Sequence, residues 1–138
     1  LRVGYGVMHP DIVGELHKTR APFNVNALAQ AAGVACLDNW HEVAGRARRN
    51  REQLEWLAAE LTRLGLDVTP SQTNFLFCTC RGSGKALADA LLRQGVIVRP
   101  MDAFGLGDGE GALRISVGLP AENRRCVAAL ATVLGSAR

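Results

Sequence analysis

Residues 39–64 constrain the fold more than any other stretch. Trp40, Val43, Ala47, Leu54, Leu57, Leu61 and Leu64 recur at helical spacing and make one apolar stripe, with a polar gap around Asn50. Asn39 and Glu42 resemble a capping box, with Asn in place of the usual Ser or Thr. Gly65 follows the last Leu, where a left-handed residue ends a helix. So long a striped helix needs a layer to bury its stripe against, and the following residues supply one. Residues 66–68, 74–80, 96–99 and 113–117 read as short strands. Ser83 caps a helix over 84–94 that Gly95 ends, and Pro120 opens a last helix to Leu134 at the favoured first position. From residue 40 onward the order is helix, strand, strand, helix, strand, strand, helix. That order predicts an α+β fold, with helices packed on a small, mostly antiparallel sheet.

The first forty residues are organised differently. Residues 1–8, LRVGYGVM, are apolar and rich in Val and Tyr, as in a buried strand. A chain that opens in mid-strand, with no initiator Met and no polar lead-in, reads as the start of a fragment. A short helix is expected over 12–20, closed by Ala21-Pro22. Asn26 can cap a helix over 27–37 that is apolar on all sides, so that helix belongs in a core or at an interface.

Composition excludes several classes. The chain has 138 residues, 48% of them hydrophobic and 21% charged, which fits one domain, or one domain plus part of another, and not a disordered chain. No apolar run approaches the roughly 18 residues of a spanning helix, and no signal peptide opens the sequence, so a cytoplasmic protein without membrane contact is expected. A net charge of +3 does not by itself call for a nucleic-acid partner. Arg46, Arg48, Arg49 and Arg51 are interleaved with Glu42, Glu52 and Glu55 and lack aromatic neighbours, as on a solvated helix face. Cys36, Cys78, Cys80 and Cys126 have no C-x-x-C spacing and read as buried reduced thiols, Cys78 and Cys80 sharing one strand face.

Two stretches imitate functional loops. Gly82-Ser83-Gly84-Lys85 follows a strand and opens a helix, as a phosphate loop does. It lacks that loop's early Gly, and Ala86 stands where a magnesium-holding Ser or Thr would be, so a turn with a capping Ser is expected. Asp108 and Glu110 lie in a Gly-rich loop whose spacing does not match a calcium loop. His9, His17 and His41 have no partners at metal-ligand spacing.

Arg2 and Arg114 stand out because each lies within an apolar strand-like segment. A guanidinium there is costly unless paired. Its partner is either a buried carboxylate of the chain or a bound phosphate or carboxylate, held by two parallel hydrogen bonds. Position alone leaves both readings open.

Several segments resemble one family. Leu1-Arg2-Val3-Gly4-Tyr5-Gly6 resembles the segment after the catalytic lysine of fold-type I aminotransferases that use pyridoxal phosphate (PLP). Arg20-Ala21-Pro22-Phe23-Asn24-Val25-Asn26, Gln72-Thr73-Asn74-Phe75, Gly95-Val96-Ile97-Val98-Arg99-Pro100, Leu113-Arg114-Ile115-Ser116-Val117-Gly118 and residues 120–123 are similar, in order, to segments of the histidinol-phosphate aminotransferase branch. The likeness covers essentially the whole chain. It implies a remnant of the large PLP-binding domain over residues 1–25 and a small C-terminal domain over 26–138 that includes the interdomain helix.

The resemblance also implies roles. Arg2 would grip the phosphate of the PLP cofactor, and Arg114 would pair with the substrate's α-carboxylate. Arg20 lies where relatives bring a residue toward a neighbouring subunit's site. The reaction implied is amino transfer between histidinol phosphate and 2-oxoglutarate, in histidine biosynthesis, by a homodimeric parent with amino-acid and 2-oxo-acid substrates. The lysine that carries the cofactor would lie upstream, since Lys18 and Lys85, the only lysines, match no such segment. No catalytic residue is then expected in this chain, which would be inactive alone. Two other readings stand beside this one: a free-standing, non-catalytic α+β module binding a small anion or a partner, and a phosphothreonine decarboxylase-like PLP enzyme.

Overall fold

The computed structural model describes residues 2–106 and 111–135. Contacts divide the chain into two units, Leu1–Arg46 and Ala47–Arg138. The second unit is built on a sheet of four strands, β1 (Asp67–Val68), β2 (Phe75–Cys80), β3 (Arg99–Pro100) and β4 (Gly111–Ser116), in the order β1-β2-β4-β3. Every pairing is antiparallel. The helices are α3 (Trp40–Arg63), within which the division between the units falls, α4 (Gly84–Arg93) and α5 (Pro120–Gly135). The fold is α+β, as the order of elements predicts.

Period-two alternation decides which face of the sheet is covered. On β2, Leu76, Cys78 and Cys80 are buried, while Phe75, Phe77 and Thr79 are half-buried on the other face. The buried side chains join Leu54, Leu57 and Leu61 of α3, Leu87 and Leu91 of α4, Leu113 and Ile115 of β4, and Cys126 and Leu130 of α5 in one core. The middle of the predicted stripe on α3 is therefore what the sheet receives. Gly65 and Gly95 end α3 and α4 with φ of 90° and 74°. In each case the residue after the glycine donates its N–H back to a carbonyl five residues earlier, Leu66 to Leu61 and Val96 to Leu91, which satisfies a carbonyl orphaned at the helix end.

In the first unit, α2 (Ala27–Asp38) starts where expected, while α1 (Pro10–Thr19) starts before the expected residue 12, with Pro10 at its first position. Asn26 Oδ1 accepts the Ala29 N–H at 2.8 Å. Four further expectations need correction. Residues 2–9 form no strand: Arg2 has φ of 61°, and Tyr5 and Val7 are almost fully exposed. A strand exists only through its ladder, and none of the paired strands among the described residues runs beside this segment. The strand over 96–99 shortens to Arg99–Pro100; Val96 and Val98 still pack against the core, while Ile97 is exposed. The capping box does not form, because Asn39 Nδ2 donates to the Ala35 carbonyl at 2.9 Å and so closes α2 instead of opening α3. Only one residue separates these helices, and its side chain serves the first. Finally, Cys36 is exposed, although Cys78, Cys80 and Cys126 are buried as predicted. Its helix α2 buries only Ala29 and leaves Leu28, Val34 and Leu37 exposed within this chain.

Candidate anion-binding site

The half-buried face of the sheet carries the chemistry. Because Leu113 and Ile115 face the core, Arg114 faces the opposite way. Phe77 stands directly across from it on β2 and Arg99 directly across on β3. The Arg114 guanidinium lies over the Phe75 ring, 5.3 Å from its centroid, and the Arg99 guanidinium lies 5.4 Å from the centroid of Phe104. Both contacts fall within cation–π range.

Arg114 Nε is buried and has no hydrogen-bond partner among the described residues. No ion pair among the described residues includes Arg114 or Arg99. Two like charges directly opposed on a ladder destabilise it, and an unpartnered buried donor costs roughly 1–3 kcal/mol. A bound anion relieves both. Among the described residues, no carboxylate of the chain pairs with Arg114. Arg99 was missed as a site residue. Its signal was the single charge ending Val96-Ile97-Val98-Arg99, but only the register reveals that this charge meets Arg114.

Arg2 belongs to the first unit and Arg114 to the second. Arg2 is exposed and, with Val3, Gly4, Asn24 and Asn26, lines a shallow concavity that contains no carboxylate. That donor set fits a phosphate. Beside it, Arg20 donates to Asn24 Oδ1 at 3.2 Å. Phe23 is wholly exposed with φ of 52°, an uncommon conformation for a bulky side chain.

The Gly82-Ser83-Gly84-Lys85 turn is filled by the protein itself. Ser83 accepts the Ala86 N–H at 3.2 Å, and Asp102 Oδ2 accepts the Lys85 N–H at 2.7 Å. Lys85 and Lys18 are both exposed and paired, with Asp89 at 2.7 Å and Glu15 at 2.6 Å respectively. Burial pushes the Cys78 thiol up to about 12, with a smaller contribution from Cys80 and Cys126, and the Cys126 thiol up to about 11. Leu1, Asp108 and Glu110 lie outside the described residues.

A small antiparallel sheet backed by helices, with Arg99 and Arg114 beside aromatic rings on its other face, defines an α+β domain with a candidate anion site. The chain belongs to the aminotransferase class I and II family, whose profile matches residues 1–130. It is 46% identical over 134 residues to the histidinol-phosphate aminotransferase of Symbiobacterium thermophilum, covering 97% of this chain and 36% of that protein. It is 45% identical over 137 residues to the enzyme of the same name from Anaeromyxobacter sp., covering 99% and 37%. The chain thus spans a little over a third of the curated relatives it matches.

Solved structures agree on the fold. The histidinol-phosphate aminotransferase of Clostridium acetobutylicum superposes with a TM-score of 0.75 at 22% identity, over 91% of this chain and 38% of that one. The enzyme of the same name from Sinorhizobium meliloti, solved in complex with pyridoxal-5'-phosphate, gives 0.67 at 22% identity, over 94% and 35%. The L-threonine-O-3-phosphate decarboxylase of Porphyromonas gingivalis gives 0.70 at 26%, over 94% and 40%. Among the described residues, no helix is long and apolar enough to cross a membrane.

Proposed function

We propose that this chain is the substrate-anchoring part of a PLP-dependent aminotransferase that moves an amino group between histidinol phosphate and 2-oxoglutarate in histidine biosynthesis. The observation that carries this reading is the unbonded, buried Nε of Arg114 beside Arg99, in a chain about 45% identical to enzymes of that name. Histidinol phosphate presents a phosphate ester and 2-oxoglutarate presents carboxylates. A planar guanidinium fork accepts either anion with two parallel hydrogen bonds. Arg114 binds and orients the anionic end of each substrate in turn, and Arg99 adds the second positive charge that a dianion requires. Phe75 and Phe104 hold both forks in place and exclude water from one side of each.

Residues 1–25 belong, on this reading, to the large domain and 26–138 to the small one. Arg2 holds the cofactor phosphate. When bound, the cofactor supplies the electron sink for amino transfer. The lysine that attaches it lies elsewhere in the whole protein, because Lys18 and Lys85 each sit exposed against their own carboxylates. The parent is a cytoplasmic homodimer, and the uncovered apolar sides of α2 suit an interface.

The test is an assay of the full-length protein. Amino transfer from histidinol phosphate to 2-oxoglutarate is expected. Release of carbon dioxide from L-threonine-O-3-phosphate, without amino transfer, would replace this reading with the decarboxylase one.

A further inference from the structure

Asp102 bonds into the end of the sheet where β4 starts. It lies in a short 3-10 turn, Asp102–Phe104, between β3 and β4. Its Oδ1 accepts the Ala112 N–H at 2.8 Å, and its Oδ2 accepts the Lys85 N–H at 2.7 Å. Ser83 Oγ stands 3.5 Å from Oδ2. One carboxylate thereby ties the first turn of α4 to the start of β4, two residues before Arg114.

The turn that carries Asp102 also carries Phe104, the ring under Arg99. Met101 N–H donates to the Ala112 carbonyl at 2.8 Å, so the same residue of β4 is gripped on both its backbone groups. The glycines nearby exist for this junction. A Cβ on Gly84 would lie 2.5 Å from Asp102 Oδ1 and 2.5 Å from the Ala112 carbonyl oxygen, and one on Gly111 would collide with the backbone N of Gly84. The Gly-Ser-Gly turn that imitates a phosphate loop is therefore a socket for β4, and the anion in the socket is Asp102.

From this geometry we infer that Asp102 is a positioning residue for the anion site: it sets Arg114 through Ala112 and Arg99 through Phe104. This rests on the proposed role of Arg114. Loss of the carboxylate frees the Ala112 and Lys85 N–H groups and lets β4 slide against α4 without removing any group that touches substrate. The two N–H donors also hold Asp102 ionised, with its pKa lowered by the bonds from Ala112 and then Lys85.

The test uses the full-length protein and glutarate, a dicarboxylate without a reacting carbonyl, as the titrant in calorimetry. Asp102→Ala is expected to weaken glutarate by about tenfold, the scale of one displaced charge-assisted bond. Asp102→Glu, which restores the ionised acceptor, should recover part of that. Asp102→Asn should resemble Asp102→Ala, because its amide N–H₂ faces one of the two N–H donors. In turnover, Asp102→Ala should raise KM for 2-oxoglutarate far more than it lowers kcat. On an Arg114→Ala background, Asp102→Ala should have a clearly smaller effect, the remainder passing through Arg99.

Unchanged glutarate binding in Asp102→Ala, or an undiminished effect on the Arg114→Ala background, would overturn the inference. Arg114→Ala binding glutarate as tightly as the unmodified protein would instead overturn the anion-site reading beneath it. Should Asp102→Ala fail to fold, the isosteric Asp102→Asn decides by the same two measurements.

Discussion

Among the described residues Arg114 Nε has no partner, while its guanidinium lies 5.3 Å from the Phe75 centroid, and the proposed role of this fork is to hold the substrate's anionic end. In the full-length protein, Arg114→Ala should cost roughly 1.5–3 kcal/mol of substrate binding and little cofactor binding. Arg2→Ala should do the reverse. Equilibrium titration of each variant with glutarate and with PLP checks this, and equal loss of both ligands in both variants would contradict the division of roles. Arg114 was legible in the sequence because a charge inside Leu113-Arg114-Ile115 has to be accounted for. Arg2 stood out for the same reason, but its segment makes no strand here, so its proposed role rests on the resemblance. Arg99 was hidden because cross-strand register is not written in either strand alone. The buried thiols make a second prediction at this scale. Cys78 and Cys126 titrate near 12 and 11 in the fold but close to 9 when unfolded. Above pH 9 the unfolded chain releases protons that the folded chain keeps, so stability must fall as pH rises from about 9 toward 12. The slope is at most about 1.4 kcal/mol per pH unit for each thiol. Urea midpoints measured across that range should show a shallower decline in Cys126→Ala than in the unmodified chain.

At the scale of elements, the extent of the long helix was read correctly because its length and its glycine stop agree, whereas Trp40 and Ala47 of the predicted stripe are exposed. Leu57 is wholly buried at the centre of that stripe. Leu57→Ala should therefore destabilise the second unit by about 2–5 kcal/mol. Gly65→Ala should cost only about 1 kcal/mol, because a Cβ there meets open space and the penalty is the left-handed backbone alone. Chemical denaturation followed by circular dichroism separates the two, and a Gly65 variant as damaging as the Leu57 variant would show that the glycine does more than end a helix. Elements whose formation depends on distant partners were read less well. The strand over 96–99 is mostly unpaired, and the apolar run at 1–8 is not a strand, because hydrophobic pattern announces a wish to be buried without supplying the neighbour. Asn39 was misassigned for a local reason: a capping side chain has two helix ends within reach and bonds to one of them.

For the whole molecule, one unit holds nearly all of the core while the other leaves Tyr5, Val7, Phe23 and Leu28 uncovered. The α+β fold was legible because helices and strands alternate in a fixed order and few layer arrangements accommodate them. The proposed division of labour rests on the two lysines. A lysine that attaches PLP must be held neutral against the cofactor aldehyde. Lys18 and Lys85 are instead exposed and bonded to Glu15 and Asp89. The central claim is that this chain anchors substrate and leaves cofactor attachment to another part of its parent. The direct measurement is to mix the 138-residue chain with PLP, reduce with borohydride and map the modified lysines by mass spectrometry, beside the full-length protein. Low, scattered labelling of the chain and stoichiometric labelling of a lysine outside it in the full-length protein are the predicted result. Complete labelling of Lys18 or Lys85, with turnover of an amino acid by the chain alone, would contradict the account.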